Sequence, residues 1–317
     1  MAVHDTALAQ GTKDTYRRAI EAFQEWAAAE RLDAGNLPIA EPLLCAFAAS
    51  FAGHKSGGSA RSMLAGLRYH HERLGLSWLG SRRLYRILDA VGQLAPEAAS
   101  RKPRPPVTMA MVDEALKKLN PARGFDQCVA AAMLVAFWGQ MRLGEILSPT
   151  RRYDFTRLPA MKHAKLRGEA GGPAHQVTSA LWIPRTKTAR GGEWVWLTKR
   201  FNDPSYALHE HFCDNRLSRD DPLFSYRDKH DVLVPLTKKA FLNRLNEIWL
   251  GAGMQTVSGH CFRIGGTTAL LRLGVDTDIV KMAGRWKSDS FLRYWRNVEN
   301  IIAAHTDLCD IAWSADT

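Results

Sequence analysis

Between Cys128 and Trp138 the chain runs eleven residues, CVAAAMLVAFW, without a charged or amide side chain. A bilayer span needs about 18 or more apolar residues, so this run is too short to cross one. It reads instead as a helix buried on every side, which belongs at the centre of a domain large enough to cover it. The helical stretch extends over Gln127–Leu147 and ends in Gln140-Met141-Arg142-Leu143-Gly144-Glu145. Arg142 and Glu145, three apart, share a face. Alone, such a pair is most often an exposed ion pair of little consequence. At the end of a core helix it is a candidate for fixed charge.

The 317 residues suffice for two domains, each with its own core, and 46% apolar content marks a globular chain. Pro96–Val107, PEAASRKPRPPV, divides them. Three prolines after Lys102 forbid a helix and favour an extended strand of chain. The expected organisation is a helical domain over residues 1–95, a basic linker over 96–107 and a second domain over 108–317.

In the first domain, Tyr16, Ile20, Phe23 and Ala27 mark one face of a helix capped by Thr12. Pro38, Glu41 and Pro42 open a second helix, with Leu44 and Phe47 on its apolar side. A third follows Ser59, with Leu64, Leu67, His71 and Leu74, and a fourth begins near Ser81, with Leu84, Leu88 and Val91. Arg61, Arg68, Arg82, Arg83 and Arg86 crowd the last two, against only Glu72 and Asp89. With Arg101, Lys102 and Arg104 of the linker they form the candidate phosphate-contacting surface. The net charge of +11 suits a polyanion, nucleic acid first.

In the second domain, Thr108 caps a helix over Met109–Leu119, and Pro159–Val177 reads as loop. Leu181–Ile183 and Glu193–Leu197 read as strands around a Gly-rich tip carrying Arg185, Lys187 and Arg190. Thr237 caps Lys238–Leu250, which leaves Lys238, Lys239 and Arg244 for phosphates or for a solvated face. Ser258 caps a helix with His260 and Arg263 one turn apart, and Gly265-Gly266 lets its backbone approach another surface closely. Ile279, Val280 and Met282 pack a short helix that ends at Gly284. A last helix, opened by Ser288 or Asp289, carries Tyr294, with Phe291 and Trp295 on its buried side, and an amphipathic tail follows from Ile301 to Trp313.

Five scattered cysteines without a C-x-x-C, and an opening segment without an apolar core, point to a reducing, intracellular setting. His209 and His211 fall on different sides of a helix, so no metal site is expected.

Guanidiniums, an ammonium, an imidazole, an indole N–H and a phenol together can attack a phosphodiester without metal. Negative charge gathers on the non-bridging oxygens, where fixed cationic donors lower the barrier. Arginine's planar fork holds two such oxygens and never deprotonates. A tyrosine hydroxyl can form the covalent phosphoryl intermediate, and lysine can protonate the leaving oxygen.

Arg142-Leu143-Gly144-Glu145, Thr186-Lys187-Thr188, His260-Cys261-Phe262-Arg263, Gly284-Arg285-Trp286 and Tyr294, in that order, resemble the tyrosine recombinase (phage-integrase type) family. The GRW-x-SD-x-F-x-RY form is nearest to integrases of Crypton-type mobile elements. The resemblance implies a mainly α chain: a core-binding helical domain, then an α+β catalytic domain with a small antiparallel sheet. It assigns Arg142, Lys187, His260, Arg263 and Tyr294 to catalysis and Glu145 to the acidic position behind the first arginine. The family has His or Trp after the glycine; here Arg285 precedes Trp286, so Trp286 is expected to donate to the phosphate and Arg285 to contact DNA. The implied activity is site-specific recombination through a 3′-phosphotyrosine, with no cofactor and no membrane. Its partner is double-stranded DNA, on paired sites bound by a tetramer, or a dimer. The nucleus of a eukaryotic host, or otherwise the cytoplasm or nucleoid, is the matching compartment. Type IB topoisomerase-like relaxation and a non-cleaving DNA-binding protein are the alternatives.

Overall fold

The computed structural model describes residues 8, 10–99, 104–166, 178–186, 189, 191–198 and 202–294, with backbone alone at positions 178, 198, 293 and 294. The chain divides into two compact units, Met1–Pro103 and Arg104–Thr317.

The first unit contains α1 (Gln10–Ala29), α2 (Glu41–Ala49), α3 (Gly57–Arg73) and α4 (Arg82–Gln93). Phe23, Leu44, Phe47, Leu64, Leu67, Leu84, Leu88 and Val91 form its core. α1 and α3 touch backbone to backbone at Gly66, where a Cβ would stand 2.5 Å from that of Ala19. The caps differ from expectation in detail. Ser56, not Ser59, caps α3, while Ser81 caps α4 as its sequence position predicts. Thr12 lies inside α1. His71 is fully buried; its Nε2 accepts the Ile39 N–H at 2.9 Å, which ties α3 to the turn before α2.

The proline-rich stretch does not behave as one spacer. Glu97–Ala99 forms a 3₁₀ turn. Val107 is buried at 1% exposure, and its N–H donates to the Cys261 carbonyl at 3.0 Å, so its far end is part of the second unit's core. Arg104 is exposed, and Arg101 and Lys102 lie outside the described residues.

The second unit begins with α5 (Met109–Lys118), capped by Thr108, and α6 (Gly124–Trp138). From Cys128 to Trp138 every residue of α6 except Ala130 is buried, as an apolar run of that length requires. The helix does not continue to Leu147. It stops at Gly139, the chain turns, and a short α7 (Leu143–Ile146) follows. An antiparallel sheet in the order β1 (Ala164–Lys165), β2 (Thr178–Ile183), β3 (Glu193–Thr198) comes next. β1 falls where loop is expected; two residues carry no periodicity to read. On β3, Val195 and Leu197 are buried while Trp196 is 53% exposed, the alternation of a strand covered on one face.

α8 (Pro204–Asp214) precedes a hairpin of β4 (Ser225–Arg227) and β5 (Leu233–Pro235), again too short to announce itself in sequence. α9 (Lys238–Gly251), capped by Thr237, leads to α10 (Cys261–Arg272), α11 (Thr277–Ala283) and a 3₁₀ turn over Asp289–Tyr294. In α11 only Val280 is buried; Ile279 and Met282, expected to pack with it, are 56% and 77% exposed. Arg244 is not available to phosphates as expected. It grips the buried Asp126 through two bonds of 2.9 and 3.0 Å. Burial works to raise the Asp126 pKa, but the bonds from Arg244 and the Asn120 N–H win and hold it low. Trp295 and the tail from Ile301 lie outside the described residues.

Candidate active site

The site grows from the break after α6. Gly139 ends the helix, and Gln140 takes φ 46°, in the left-handed region that a side chain rarely adopts. The turn sets Arg142 at the head of α7. Glu145 folds back on it: its carboxylate accepts from the Arg142 N–H at 3.2 Å and from the guanidinium at 2.7 Å. The Glu145 side chain is 5% exposed and that of Arg142 28%, so the carboxylate is held inside and the arginine reaches outward.

Arg263 arrives from α10. His260, not Ser258, is the cap residue of that helix, half-buried and one turn from Arg263. Two glycines bring α10 inward. A Cβ on Gly265 would collide with the Val107 carbonyl oxygen, and one on Gly266 with that of Phe137. This close approach leaves Arg263 fully buried. Its Nη1 donates to the Gln140 carbonyl at 2.6 Å, and its guanidinium lies 3.8 Å over the ring of Trp286.

The segment after α11 departs from expectation at both of its assigned residues. Trp286 turns its N–H toward Gln140 Oε1 at 3.4 Å rather than outward, and serves as the platform under Arg263. Arg285, expected on DNA, adopts φ 56° and buries its guanidinium to 9% exposure. Its Nη2 donates to Glu145 Oε2 at 3.2 Å, and its Nη1 stands 3.9 Å from Glu193 Oε1. One carboxylate, Glu145, thus holds two arginines that lie far apart in sequence.

Glu193 opens β3 and pairs across the sheet with Ile183, so Arg285 also touches the base of the hairpin. At that hairpin Thr186 is buried and receives the Ala189 N–H at 3.0 Å, and Arg185 is exposed. Lys187, Thr188 and Arg190 lie outside the described residues. The backbone of Tyr294 closes the 3₁₀ turn whose Phe291 is buried against Trp286; its side chain lies outside the described residues.

Gln140, Glu193 and Thr267 of α10, whose hydroxyl donates to Gln140 Oε1 at 2.7 Å, are the members that sequence reasoning passed over. Gln140 alone left a trace, as the first long polar side chain after the apolar run. Beside α7 opens a cleft of about 700 Å³, lined in part by Gly144, Ser148, Arg152, Arg157 and Lys238. In the first unit Arg61 pairs with Asp89, and Arg68 with Glu72 at 2.8 Å, while Arg82, Arg83 and Arg86 are exposed.

The two histidines of α8 are not a ligand pair. His211 is buried between the Leu223 carbonyl at 3.0 Å and the Asn215 amide at 2.9 Å, so both ring nitrogens are occupied. Burial pulls its pKa down to about 4. Among the described residues no helix is long and apolar enough to cross a membrane.

No protein-family model matches the chain, and no curated protein matches it. Solved structures do. XerH site-specific recombinase, in a post-cleavage complex with palindromic difH substrate, matches with TM-score 0.60 at 14% identity over 95% of this chain and 78% of its own. A lambda integrase dimer bound to a COC′ core site matches with TM-score 0.57 at 14% identity over 92% and 90%. The Tn1549 transposon integrase in complex with transposon right end DNA matches with TM-score 0.57 at 13% identity over 96% of both chains. The chain therefore has the mostly helical fold, with small antiparallel sheets, that these tyrosine recombinases and integrases share.

Proposed function

We propose that this protein breaks and rejoins double-stranded DNA as a site-specific tyrosine recombinase. The observation that carries it is the convergence of Arg142, Glu145, Arg263, Arg285 and Trp286, drawn from three separate segments, around one turn. Buried charge is costly and is retained where it is paired or used. A cage of guanidiniums suits the charge that builds on an attacked phosphodiester.

In this reading the Tyr294 oxygen attacks the scissile phosphorus, and the bond from phosphorus to the 5′ oxygen breaks. Arg142 and Arg263 stabilise the non-bridging oxygens, Arg142 oriented by Glu145. His260 takes the phenolic proton, and Lys187 protonates the departing 5′ hydroxyl. The phosphotyrosine keeps the bond energy, so a second 5′ hydroxyl reverses the step without ATP. Arg152, Arg157 and Lys238 at the cleft beside α7, the exposed Arg185, and Arg82, Arg83 and Arg86 of the first unit carry flanking phosphates. Within the class, Gly284-Arg285-Trp286 and Arg293-Tyr294 favour kinship with Crypton-type integrases. Exchange of two duplexes calls for a tetramer on paired sites.

The test is covalent trapping on a pool of nicked duplexes of randomised sequence, whose released fragment diffuses away. A protein–DNA adduct on a denaturing gel, mapped to Tyr294 and lost in Tyr294→Phe, is expected. An adduct that survives in that variant refutes the nucleophile; its absence from the wild type refutes cleavage.

A further inference from the structure

We infer that Gln140 is a positioning residue that locks the segment leading to Tyr294 onto the Arg142 turn; its catalytic consequence rests on the cleavage reading above. Gln140 is fully buried, and each of its polar groups is engaged, its own N–H donating to the Phe137 carbonyl at 3.1 Å. Its carbonyl accepts from Arg263 Nη1 at 2.6 Å. Its Oε1 accepts from the Thr267 hydroxyl at 2.7 Å and from the Trp286 indole at 3.4 Å. Its Nε2 donates to the Val280 carbonyl at 3.3 Å. A single residue therefore joins the break after α6 to α10, to α11 and to the tryptophan under Arg263.

Two features say that the side chain is there for these bonds. Gln140 holds φ 46°, a conformation that glycine adopts freely and other residues adopt at a cost. The fold tolerates the costlier residue at this turn. The partner elements are also shaped around it. A Cβ on Gly284 would collide with Gln140 Oε1 and with the Trp286 ring, so the end of α11 is cut back to admit both. Loosening this junction frees α11 and Trp286, and with them the platform of Arg263 and the approach to Asp289–Tyr294. Misplacement of about 1 Å in such a frame costs roughly 100-fold in rate.

Gln140→Gly and Gln140→Met separate the side-chain bonds from their alternatives. The glycine relaxes the backbone, and the methionine keeps the volume; neither can bond to Thr267, Trp286 and Val280. Hydrogen exchange without DNA is the first readout. Both variants should exchange faster over residues 277–286 while α6 stays protected. Unchanged exchange there overturns the lock, whatever the protein does to DNA. The second readout is single-turnover adduct formation at saturating nicked duplex, from the same randomised pool. Both variants should lose about 100-fold in rate with DNA affinity retained. Wild-type rate in variants with faster exchange overturns the positioning role. A wild type that forms no adduct refutes the cleavage reading instead, and leaves the exchange experiment to decide the lock.

Discussion

The two units use their conspicuous arginines in opposite ways. On α3 and α4, Arg61, Arg68, Arg82, Arg83 and Arg86 are all exposed, and those that pair do so with carboxylates in solvent. In the second unit Arg263 is fully buried, Arg285 is 9% exposed, and Arg142 emerges beside a carboxylate that is itself buried. Exposed charges are screened by salt within about 10 Å and contribute little to stability, so they are interchangeable contributors to a diffuse field. A buried guanidinium is held in one position by specific partners. The first arrangement suits attraction of a polyanion along its length, and the second suits a single atom-sized target.

The contrast breaks first, if it is wrong, at Arg263. Arg263→Lys keeps the charge but removes the fork and its stacking on Trp286. Adduct formation should fall by about 100- to 1000-fold, with DNA affinity changed less than about threefold in a binding titration. A lysine variant that cleaves normally makes Arg263 one more generic cation. Gly266→Ala asks what lets that arginine be buried. Its new Cβ meets the Phe137 carbonyl, so urea denaturation should register a loss of about 3 kcal/mol.

Burial should also decide whether a group charges at all, and His211 sharpens that point. Its folded pKa of about 4 lies below the ordinary 6.5, so the unfolded chain takes up a proton that the folded protein refuses. Its contribution is fully present above pH 6.5, declines as pH falls, and is gone below about 4. Over that window stability should drop by about 3 kcal/mol from this residue, and His211→Gln should flatten the slope. The smallest stability effects belong to the exposed set. Arg82→Ala, Arg83→Ala and Arg86→Ala should each change stability by less than about 0.5 kcal/mol. Each should weaken DNA binding alike across sequences and reduce the salt slope by about 0.9 for every phosphate the arginine had neutralised.

The core of the fold was legible because it rests on local patterns. The apolar run of α6, the stripes of α1 to α4 and the caps Ser81, Thr108 and Thr237 each follow from residues within a turn or two. β1, β4 and β5 were not, because strands of two or three residues have no period to detect. Arg142 and Glu145 were legible as a pair, three residues apart, and the structure keeps them paired. Arg285 and Trp286 were legible as a doublet, but not in the direction each turns. That depends on φ 56° at Arg285 and on Glu145 and Gln140, about 140 residues earlier in the chain.

Sequence by itself thus determined the longer elements, most of their apolar faces and which chemical groups the second unit owns, since those depend on near neighbours and on side-chain identity. Tertiary structure decided which arginines are sealed and which face water. It made Glu145 serve two guanidiniums and turned Gln140 from a helix terminus into a junction. Burial and partnership are properties of packed surfaces, and segments more than a hundred residues apart acquire them only once the chain has folded.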